Sequence, residues 1–365
     1  MNGKIEKVFY PPVGIAHILD DLIDLIKYRI DGKEKIIINT SSQPNGVPHL
    51  GTLMSLACVF AFAEHIRDKF QIHTEVLFDE LENCPGKREY TENAVICKSL
   101  SDVYENGISR AEYYMNFFRE ILDDFSTKSS IAYKIRSYSQ FQSEPSFREG
   151  LLKVLDNYEY FSQLLNPSEN RLHIRIKCPI CNKYDKSSKN LNICRQKNDG
   201  YILESSCEEH GHYSINLSAN NTEYIDVNTQ LRDLLKGYLI NKDEKNIVIM
   251  MDGSDWGGTW SNRIHCEGLV ALGEKALPIR VFTPMILDWS GAKFSKSLYM
   301  KLNDYENIDR AFNDYCEFKK KYSSYGMDLV WEIACQWIKE PKKFFRNYSI
   351  EYFDLIFKTL EEKMV

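Results

Sequence analysis

Short apolar segments typical of strands alternate along this chain with longer segments whose apolar residues recur every three or four positions. The strand-like segments are KIIINT (35–40), TEVLFD (74–79), NIVIMM (246–251) and LPIRVFTPMIL (277–287). The helical pattern covers residues 50–70, 109–125 and 144–165, and a further helix is expected near 259–273. The alternation predicts an α/β fold with an open parallel sheet, in which ligands bind beyond the carboxyl ends of the strands.

Length and composition narrow the class of protein. At 365 residues the chain is long enough for two or three folded units, and its 43% apolar and 27% charged residues are ordinary for a globular protein. No apolar run approaches the roughly 20 residues of a membrane helix, and the N-terminal MNGKIEKVFYPPVG lacks the apolar core of a signal peptide. We therefore expect a cytoplasmic protein without a membrane partner. Its net charge of −6 argues against a broadly basic nucleic-acid binder, although local patches can still hold a phosphate backbone.

The ten cysteines point to a metal site, because a chain without a secretion signal is a poor candidate for a disulfide framework. Two pairs with two-residue spacing stand out: Cys178 and Cys181 in KCPICNKY, then Cys207 and His210 in SSCEEHGHY. Four such ligands suit a tetrahedral structural Zn²⁺, which we assign to folding rather than to chemistry. His212 and Cys194 remain alternative fourth ligands, and unliganded buried cysteines are the competing interpretation.

Two further motifs suit the binding of phosphate groups. NGVPHLGT follows the first predicted strand and leads into a helix, which places His49 and the backbone of Gly51 where a phosphate is best received. GAKFSKSLYM (291–300) follows the last predicted strand and carries two lysines and two serines in a K-x-S-K-S pattern. Lys293 and Lys296 on such a loop can meet the charge of a leaving pyrophosphate. Taken singly, each motif also fits a turn without a function.

Together, and in this order, the two motifs resemble the signatures of class I aminoacyl-tRNA synthetases, HIGH after the first strand and KMSKS after the last. Here they read PHLGT and KFSKS, with Thr52 in place of the final histidine and Phe294 in place of methionine. MMDGSDWGGTW also resembles the family segment that holds adenine and ribose, although a turn with packed tryptophans is the competing interpretation. Within the class, the arrangement is most similar to the lysyl-type enzymes. FDEL (78–81) falls where that group has an acidic strand end, and SYSQFQSEPSFREGLLKVLDN resembles the helix entry before its metal insertion.

The resemblance covers about residues 35–300 and implies a Rossmann-like (HUP-type) parallel-sheet catalytic domain with a zinc-binding insertion and a short C-terminal helical region. Residues 1–170 would form the first half of the catalytic domain and 171–220 the insertion. Residues 221–302 would form its second half, and 303–365 the helical region.

The implied reaction is attack by an amino-acid carboxylate on the α-phosphate of Mg-ATP, which gives an aminoacyl-adenylate and pyrophosphate. ATP, Mg²⁺ and Zn²⁺ are the cofactors that this reaction and the cysteine pattern imply. The implied catalytic residues are His49, Lys293 and Lys296; the ATP-binding residues are Gly51, Thr52, Gly253, Asp255 and Ser295; the amino-acid-binding residues are Asp79 and Glu80. Glu82 belongs to the same acidic cluster, for which a solvated loop is the alternative.

The acceptor of the activated amino acid stays open. Only about 65 residues follow the KFSKS loop, whereas the lysyl-type enzymes carry a large helical anticodon-binding domain there. We therefore expect transfer to a small amine, a carrier protein or another non-tRNA acceptor. A compact enzyme that charges the tRNA acceptor stem is the alternative, and a catalytically silent regulatory module is the third. The retained lysines, His49 and Asp255 argue against the third interpretation. The sequence specifies neither the amino acid nor the oligomeric state.

Overall fold

The computed structural model describes residues 18–92, 94–196, 200–294 and 308–364. Before residue 170 its helices are α1 (Ile18–Arg29), α2 (Leu50–Phe70), α3 (Arg110–Ser129), α4 (Tyr138–Ser143), α5 (Pro145–Asp156) and α6 (Tyr158–Leu165). The strands of this part are β1 (Lys35–Ser42), β2 (Thr74–Glu80), β3 (Pro85–Tyr90), β4 (Val95–Ser99), β5 (Tyr104–Glu105), β6 (Ile108–Ser109) and β7 (Tyr133–Ser137).

After residue 170 the strands are β8 (Ile174–Arg175), β9 (Tyr184–Asp185), β10 (Asn192–Arg195), β11 (Tyr201–Cys207), β12 (Gly211–Leu217), β13 (Asp226–Val227), β14 (Asn246–Gly253), β15 (Ile279–Thr283), β16 (Ile286–Leu287) and β17 (Tyr348–Ser349). The helices are α7 (Thr229–Asn241), α8 (Thr259–Ser261), α9 (Leu269–Ala271), α10 (Arg310–Asn313), α11 (Tyr315–Lys339), α12 (Pro341–Phe344) and α13 (Ile350–Met364). A π-helical turn, Asn262–Gly268, joins α8 to α9.

Five parallel strands form the central sheet in the order β15-β14-β1-β2-β7. Counted along the chain, this is the 3-2-1-4-5 order of a Rossmann-like sheet, so the predicted α/β class is confirmed. The order reverses between β1 and β14, where Ile38 pairs with Ile249. The chain runs from β1 to β2 on one side and from β14 to β15 on the other. Because the two connections diverge, a crevice opens at the carboxyl ends of β1 and β14. The predicted nucleotide motifs follow these two strands.

Helix α2 is the central helix of the core, and its bounds are those that the sequence predicts. It is 21 residues long, with a mean hydropathy of 1.2 over its most apolar window. By length and composition it could cross a membrane, which corrects the expectation that no apolar run reaches this length. Because 67% of that window is buried inside the fold, between the sheet and α11, burial in the protein core accounts for its apolar character.

The structure differs from two local predictions and contains one strand that was not predicted. The run LPIRVFTPMIL forms two strands, β15 and β16, because Pro284 has no N–H with which to continue a ladder. The helix predicted over 144–165 divides into α5 and α6 at Asn157, whose backbone is not helical (φ −123°, ψ 40°). The edge strand β7 was not predicted, because its YKIRS sequence carries charges and lacks an apolar run.

The segment predicted as an insertion contains strands β8 to β12, of which β10, β11 and β12 form an antiparallel sheet. Strand β9 pairs with β4, so the insertion also extends the β3–β4 hairpin. The chain after residue 308 is mainly helical, as predicted, within the part that the structure describes. Its aromatic side chains enter the same core as the central sheet, with the rings of Tyr322 and Phe357 4.6 Å apart.

Candidate functional site

A cavity of about 370 Å³ opens at the carboxyl ends of β1 and β14, and we call it the switch-point cavity. Six residues predicted for ATP binding or catalysis line it: His49, Gly51, Thr52, Gly253, Asp255 and Lys293. They come from three chain segments that only the fold brings together. Ser295 and Lys296 lie outside the described residues. The functions of all eight residues stay predictions.

His49 forms the N-cap of α2. Its Nδ1 atom accepts a hydrogen bond of 3.0 Å from the backbone N–H of Gly51. An imidazole that accepts through Nδ1 carries its proton on Nε2, which can donate to a ligand. A Cβ at residue 51 would lie 2.8 Å from His49 Cε1, so only glycine permits this fold-back of the ring. The H-x-G pattern thus has a geometric cause, and it places an imidazole donor at the positive end of a helix.

Asp255 and Lys293 connect the end of β14 to the segment after β16. Lys293 Nζ lies 2.7 Å from Asp255 Oδ2, and both side chains remain partly exposed to solvent. The Asp255 carboxylate folds back over Gly253, where a Cβ would lie 2.5 Å from Oδ1. Both charged groups therefore lie at the mouth of the cavity, where an entering ligand can compete for either of them.

The segment before Lys293 is a tight turn built on Asp288. The Asp288 carboxylate accepts hydrogen bonds from the backbone N–H groups of Ser290 and Ala292, at 2.8 and 3.1 Å. Gly291 has a φ of +82°, which glycine adopts without strain. Phe294 is buried, and its ring meets that of His49 edge-on at 5.9 Å. This turn therefore fixes the position of Lys293 beside the cavity.

Asp79 lies beside the switch-point cavity, in a smaller adjoining cavity that we call the deep cavity. Its carboxylate contacts Arg136 Nε at 2.8 Å and Lys236 Nζ at 3.1 Å, and it accepts a hydrogen bond from Asn39. Although burial opposes its ionisation, the two cations lower the pKa of Asp79. It is therefore an ionised group that already has internal partners, and its contact with an amino-acid substrate stays a prediction.

Glu80 and Glu82 face away from this pair of cavities. Because side chains alternate along a strand, Glu80 points to the opposite face of the sheet from Asp79. Burial, together with the carboxylate of Glu82, raises the pKa of Glu80 from 4.5 to about 7. Glu82 accepts hydrogen bonds from the first backbone N–H groups of α4, at 2.7 and 2.9 Å. The structure thus does not bring Glu80 together with the other predicted site residues.

The raised pKa of Glu80 predicts a pH dependence of stability. A carboxyl group with a raised pKa favours the folded state most below pH 4.5, and this contribution is lost as pH rises through 7. We expect Glu80→Gln to weaken the fall in the free energy of unfolding between pH 5 and 8, by on the order of 1 kcal/mol after solvent screening. Urea titrations at the two pH values measure the effect. Glu244→Gln, at an exposed glutamate, is the control, and an equal change in both variants would contradict the assignment.

A buried polar network, two of whose residues line the deep cavity, was not predicted from the sequence. Asp233 contacts His265 Nε2 at 3.0 Å and Arg280 Nη1 at 3.1 Å, and Arg280 also contacts Asp252 at 3.0 Å. Burial raises the pKa of Asp252, whereas the hydrogen bond from His265 and the charge of Arg280 lower that of Asp233 despite burial. The available signal was the presence of three charged residues, Arg232, Asp233 and Lys236, within the otherwise apolar QLRDLLKGYLI.

The predicted metal ligands meet in the insertion. Cys178, Cys181, Cys207 and His210 place one ligand atom each within 4.8 Å of all the others. The Sγ atoms of Cys181 and Cys207 are 3.7 Å apart, and His210 Nδ1 is 3.4 Å from the Cys207 sulfur. A tetrahedral zinc ion with ordinary bond lengths requires sulfur–sulfur distances of about 3.8 Å and sulfur–nitrogen distances of about 3.6 Å. The geometry therefore fits Zn²⁺. Among the described residues, neither His212 nor Cys194 belongs to the cluster.

No family model and no curated protein matches the chain. Solved structures of aminoacyl-tRNA synthetases are similar to it at a low level. A glutamate-tRNA synthetase from Elizabethkingia anophelis has 13% identity and a TM-score of 0.38, over 86% of this chain and 66% of that one. A tryptophanyl-tRNA synthetase from Plasmodium falciparum has 11% identity and a TM-score of 0.38, over 90% of this chain and 84% of that one. This similarity assigns no activity, and we derive one from the topology of the sheet and the geometry of the cavity.

Proposed function

We propose that the chain activates an amino acid with ATP, forming an aminoacyl-adenylate and pyrophosphate. The observation that carries this proposal is the convergence of three motifs on the switch-point cavity. The histidine cap of α2, the Gly253–Asp255 segment after β14 and Lys293 all line this one space. Each motif is weak alone, but together they supply donors for phosphate and an acceptor for ribose hydroxyls.

The proposed reaction requires no protein nucleophile. A carboxylate oxygen of the amino acid attacks the α-phosphorus, and the bond from this phosphorus to the bridging oxygen of the β-phosphate breaks. His49 donates from Nε2 to phosphate oxygens beside the positive end of α2. Lys293 leaves Asp255 to neutralise the departing pyrophosphate, and Asp255 then accepts from the ribose. Mg²⁺ arrives with ATP and supplies further charge neutralisation on its phosphates.

We further propose that the acyl group passes to a non-tRNA acceptor. The net charge of −6 disfavours capture of a polynucleotide. Two lysines of the C-terminal KKKY run are already neutralised, because Lys319 pairs with Glu120 and Lys321 pairs with Asp309. The aromatic residues of the C-terminal helices that lie in the core cannot stack on bases. Charging of the tRNA acceptor stem is the alternative outcome of the test.

Pyrophosphate exchange with single amino acids, lysine first, tests the activation step. We expect one amino acid to support exchange of labelled pyrophosphate into ATP without any tRNA. An acceptor screen with and without total cytoplasmic tRNA then tests the second step. Failure of every amino acid to support exchange would refute activation. Efficient, salt-tolerant charging of one tRNA species would establish the tRNA alternative instead.

Gly51→Ala tests the geometry of the histidine cap. The new methyl group would lie 2.8 Å from His49 Cε1, so the imidazole must rotate out of the cavity. We expect exchange to slow by about ten-fold or more, because a displaced donor no longer meets the phosphate. Gly32→Ala controls for a general effect of replacing glycine. A methyl group at position 32 meets no neighbouring atom, although the φ of +72° strains the backbone of an alanine there. Equal activity of Gly51→Ala and the wild type would show that the cap has no catalytic importance.

A further inference from the structure

A third cavity, of about 330 Å³, opens between the β3–β4 hairpin, the insertion and the first turn of α7. We call it the cationic cavity. It shares two lining residues, Gln43 and Arg232, with the switch-point cavity. Arg88 and Lys186 also line it, and no aspartate or glutamate does so among the described residues. An acid-free wall on a chain with a net charge of −6 indicates selection for an anion.

Arg232 is the strongest indication of a ligand. It is only 8% exposed, and it lines the cationic, the deep and the switch-point cavities. Within the described part of the chain, its guanidinium makes no hydrogen bond and no ion pair. Burial of a charge without a partner costs several kcal/mol, on the order of that for a broken buried ion pair. An anionic ligand would supply the missing partner, and the planar guanidinium suits an oxyanion.

The N-terminus of α7 adds to the same positive field. This helix is 13 residues long, and its N-cap Asn228 accepts a hydrogen bond from the backbone N–H of Leu231. Asn228, Thr229 and Gln230 line the cationic cavity, so the positive end of the helix dipole faces the space that Arg88, Lys186 and Arg232 surround.

Two other basic residues of the wall have acidic partners: Arg175 contacts Asp226 at 3.1 Å and His173 contacts Glu169 at 2.8 Å. Neither Arg88 nor Lys186 pairs with an acid among the described residues.

We propose that the cationic cavity binds the phosphate ester of a small acceptor that takes the activated acyl group. This inference rests on the proposed function. Three cations and a helix N-terminus suit a phosphate dianion better than a single carboxylate. A small acceptor fits a cavity of this volume on an acidic chain better than a polynucleotide does. The acceptor reaches the adenylate past Arg232 and Gln43. Its neutral amine attacks the carbonyl carbon, a C–N bond forms, the C–O bond to AMP breaks, and the amine proton passes to water.

Direct binding tests the anion site without any catalysis. We expect the full chain, saturated with the α,β-methylene analogue of ATP, to bind inorganic phosphate and O-phosphoethanolamine in calorimetric titrations. Arg88→Gln with Lys186→Gln is expected to weaken this binding about ten-fold or more, because both charges are lost. A matched double variant at exposed lysines, Lys275→Gln with Lys342→Gln, should bind like the wild type. Equal binding by both double variants, or an absence of binding, would overturn the proposal.

Arg232→Gln separates a ligand-binding role from a structural one. We expect it to abolish phosphate binding while the melting temperature without ligand stays the same or rises, because an unpaired buried charge is removed. A lower melting temperature with intact phosphate binding would overturn the role of Arg232.

Acyl transfer then tests the acceptor, and exchange tests activation separately. Faster transfer to O-phosphoethanolamine than to ethanolamine, with the difference lost in the Arg88→Gln and Lys186→Gln double variant, supports a phosphorylated small acceptor. Charging of total tRNA that is lost in the same variant would overturn the small-acceptor assignment. If exchange occurs without phosphate binding, this inference fails while the proposed function stands. If phosphate binds without exchange, the acceptor role fails along with the proposed function.

Discussion

Lys293→Ala is expected to slow amino-acid-dependent ATP–pyrophosphate exchange by about two orders of magnitude. Lys293 lines the switch-point cavity, where its ammonium group can meet the charge of the departing pyrophosphate. Removal of one preorganised charge from such a site raises the barrier by about 3 kcal/mol. The measurement is the exchange rate at saturating ATP and amino acid. Because the missing charge acts on the leaving group, the rate should fall more than the apparent affinity for ATP.

Two comparisons make the Lys293→Ala result specific. Lys275→Ala removes another exposed lysine, near the amino end of β15 and thus away from the carboxyl ends of the strands, and should leave exchange unchanged. Asp255→Asn should instead raise the KM for ATP, since we assign Asp255 to the ribose. Lys296→Ala carries the same expectation as Lys293→Ala from the sequence pattern. Exchange within two-fold of the wild type in both lysine variants would refute the adenylation mechanism.

Loss of the metal is expected to unfold the insertion. Structural zinc contributes about 10–16 kcal/mol in small domains, which is comparable to the whole stability of a globular protein. The four ligand atoms lie within 4.8 Å of one another, so without a bound ion their thiol and imidazole groups would crowd one another in place of metal bonds. We expect freshly purified protein to hold about one zinc per chain, and Cys207→Ser to lower both the zinc content and the melting temperature, the latter by about 10 °C or more.

The insertion itself offers the matched controls for the metal site. Cys194 lies on β10 and is exposed, so Cys194→Ser removes a thiol of the same segment without touching the cluster. We expect this variant to keep its zinc and its melting temperature. His210→Ala should lose zinc, whereas His212→Ala, on β12, should keep it. Protein without metal after purification in metal-replete medium, or Cys207→Ser with unchanged zinc content, would disprove the ligand assignment.

The sequence predicts the sheet better than the orientation of single side chains. Apolar runs locate four of the five central strands, and α2 begins and ends at the predicted residues, because burial leaves a periodic pattern. The meeting of the motifs in the switch-point cavity follows from topology. Because β1 and β14 are parallel neighbours, the segments that follow them lie together at the carboxyl ends of the strands. The pairing of Lys293 with Asp255 does not follow, since it depends on the path of the turn at Asp288. The domain limits and the cytoplasmic location stay predictions.

The sequence predicts the positions of charged side chains least well. Asp79 and Glu80 are neighbours in the chain, yet they lie on opposite faces of β2, and only the register of the sheet decides which one faces the cavities. Helix α7 was not predicted at all. Arg232, Asp233 and Lys236 interrupt its apolar pattern, because all three are buried: Asp233 and Lys236 contact other charged groups, and Arg232 lines the cavities. Periodicity cannot detect such a helix, since it presumes that charge faces water.

The pairing of β9 with β4 means that the insertion cannot be excised as an independent module. Removal of residues 171–220 would leave β4 with an unpaired edge, and open strand edges promote aggregation. It would also uncover apolar side chains that Leu203 and Leu217 cover in the second core. A shortened chain joined across this gap should therefore be recovered in inclusion bodies, even though the five strands of the central sheet would remain intact.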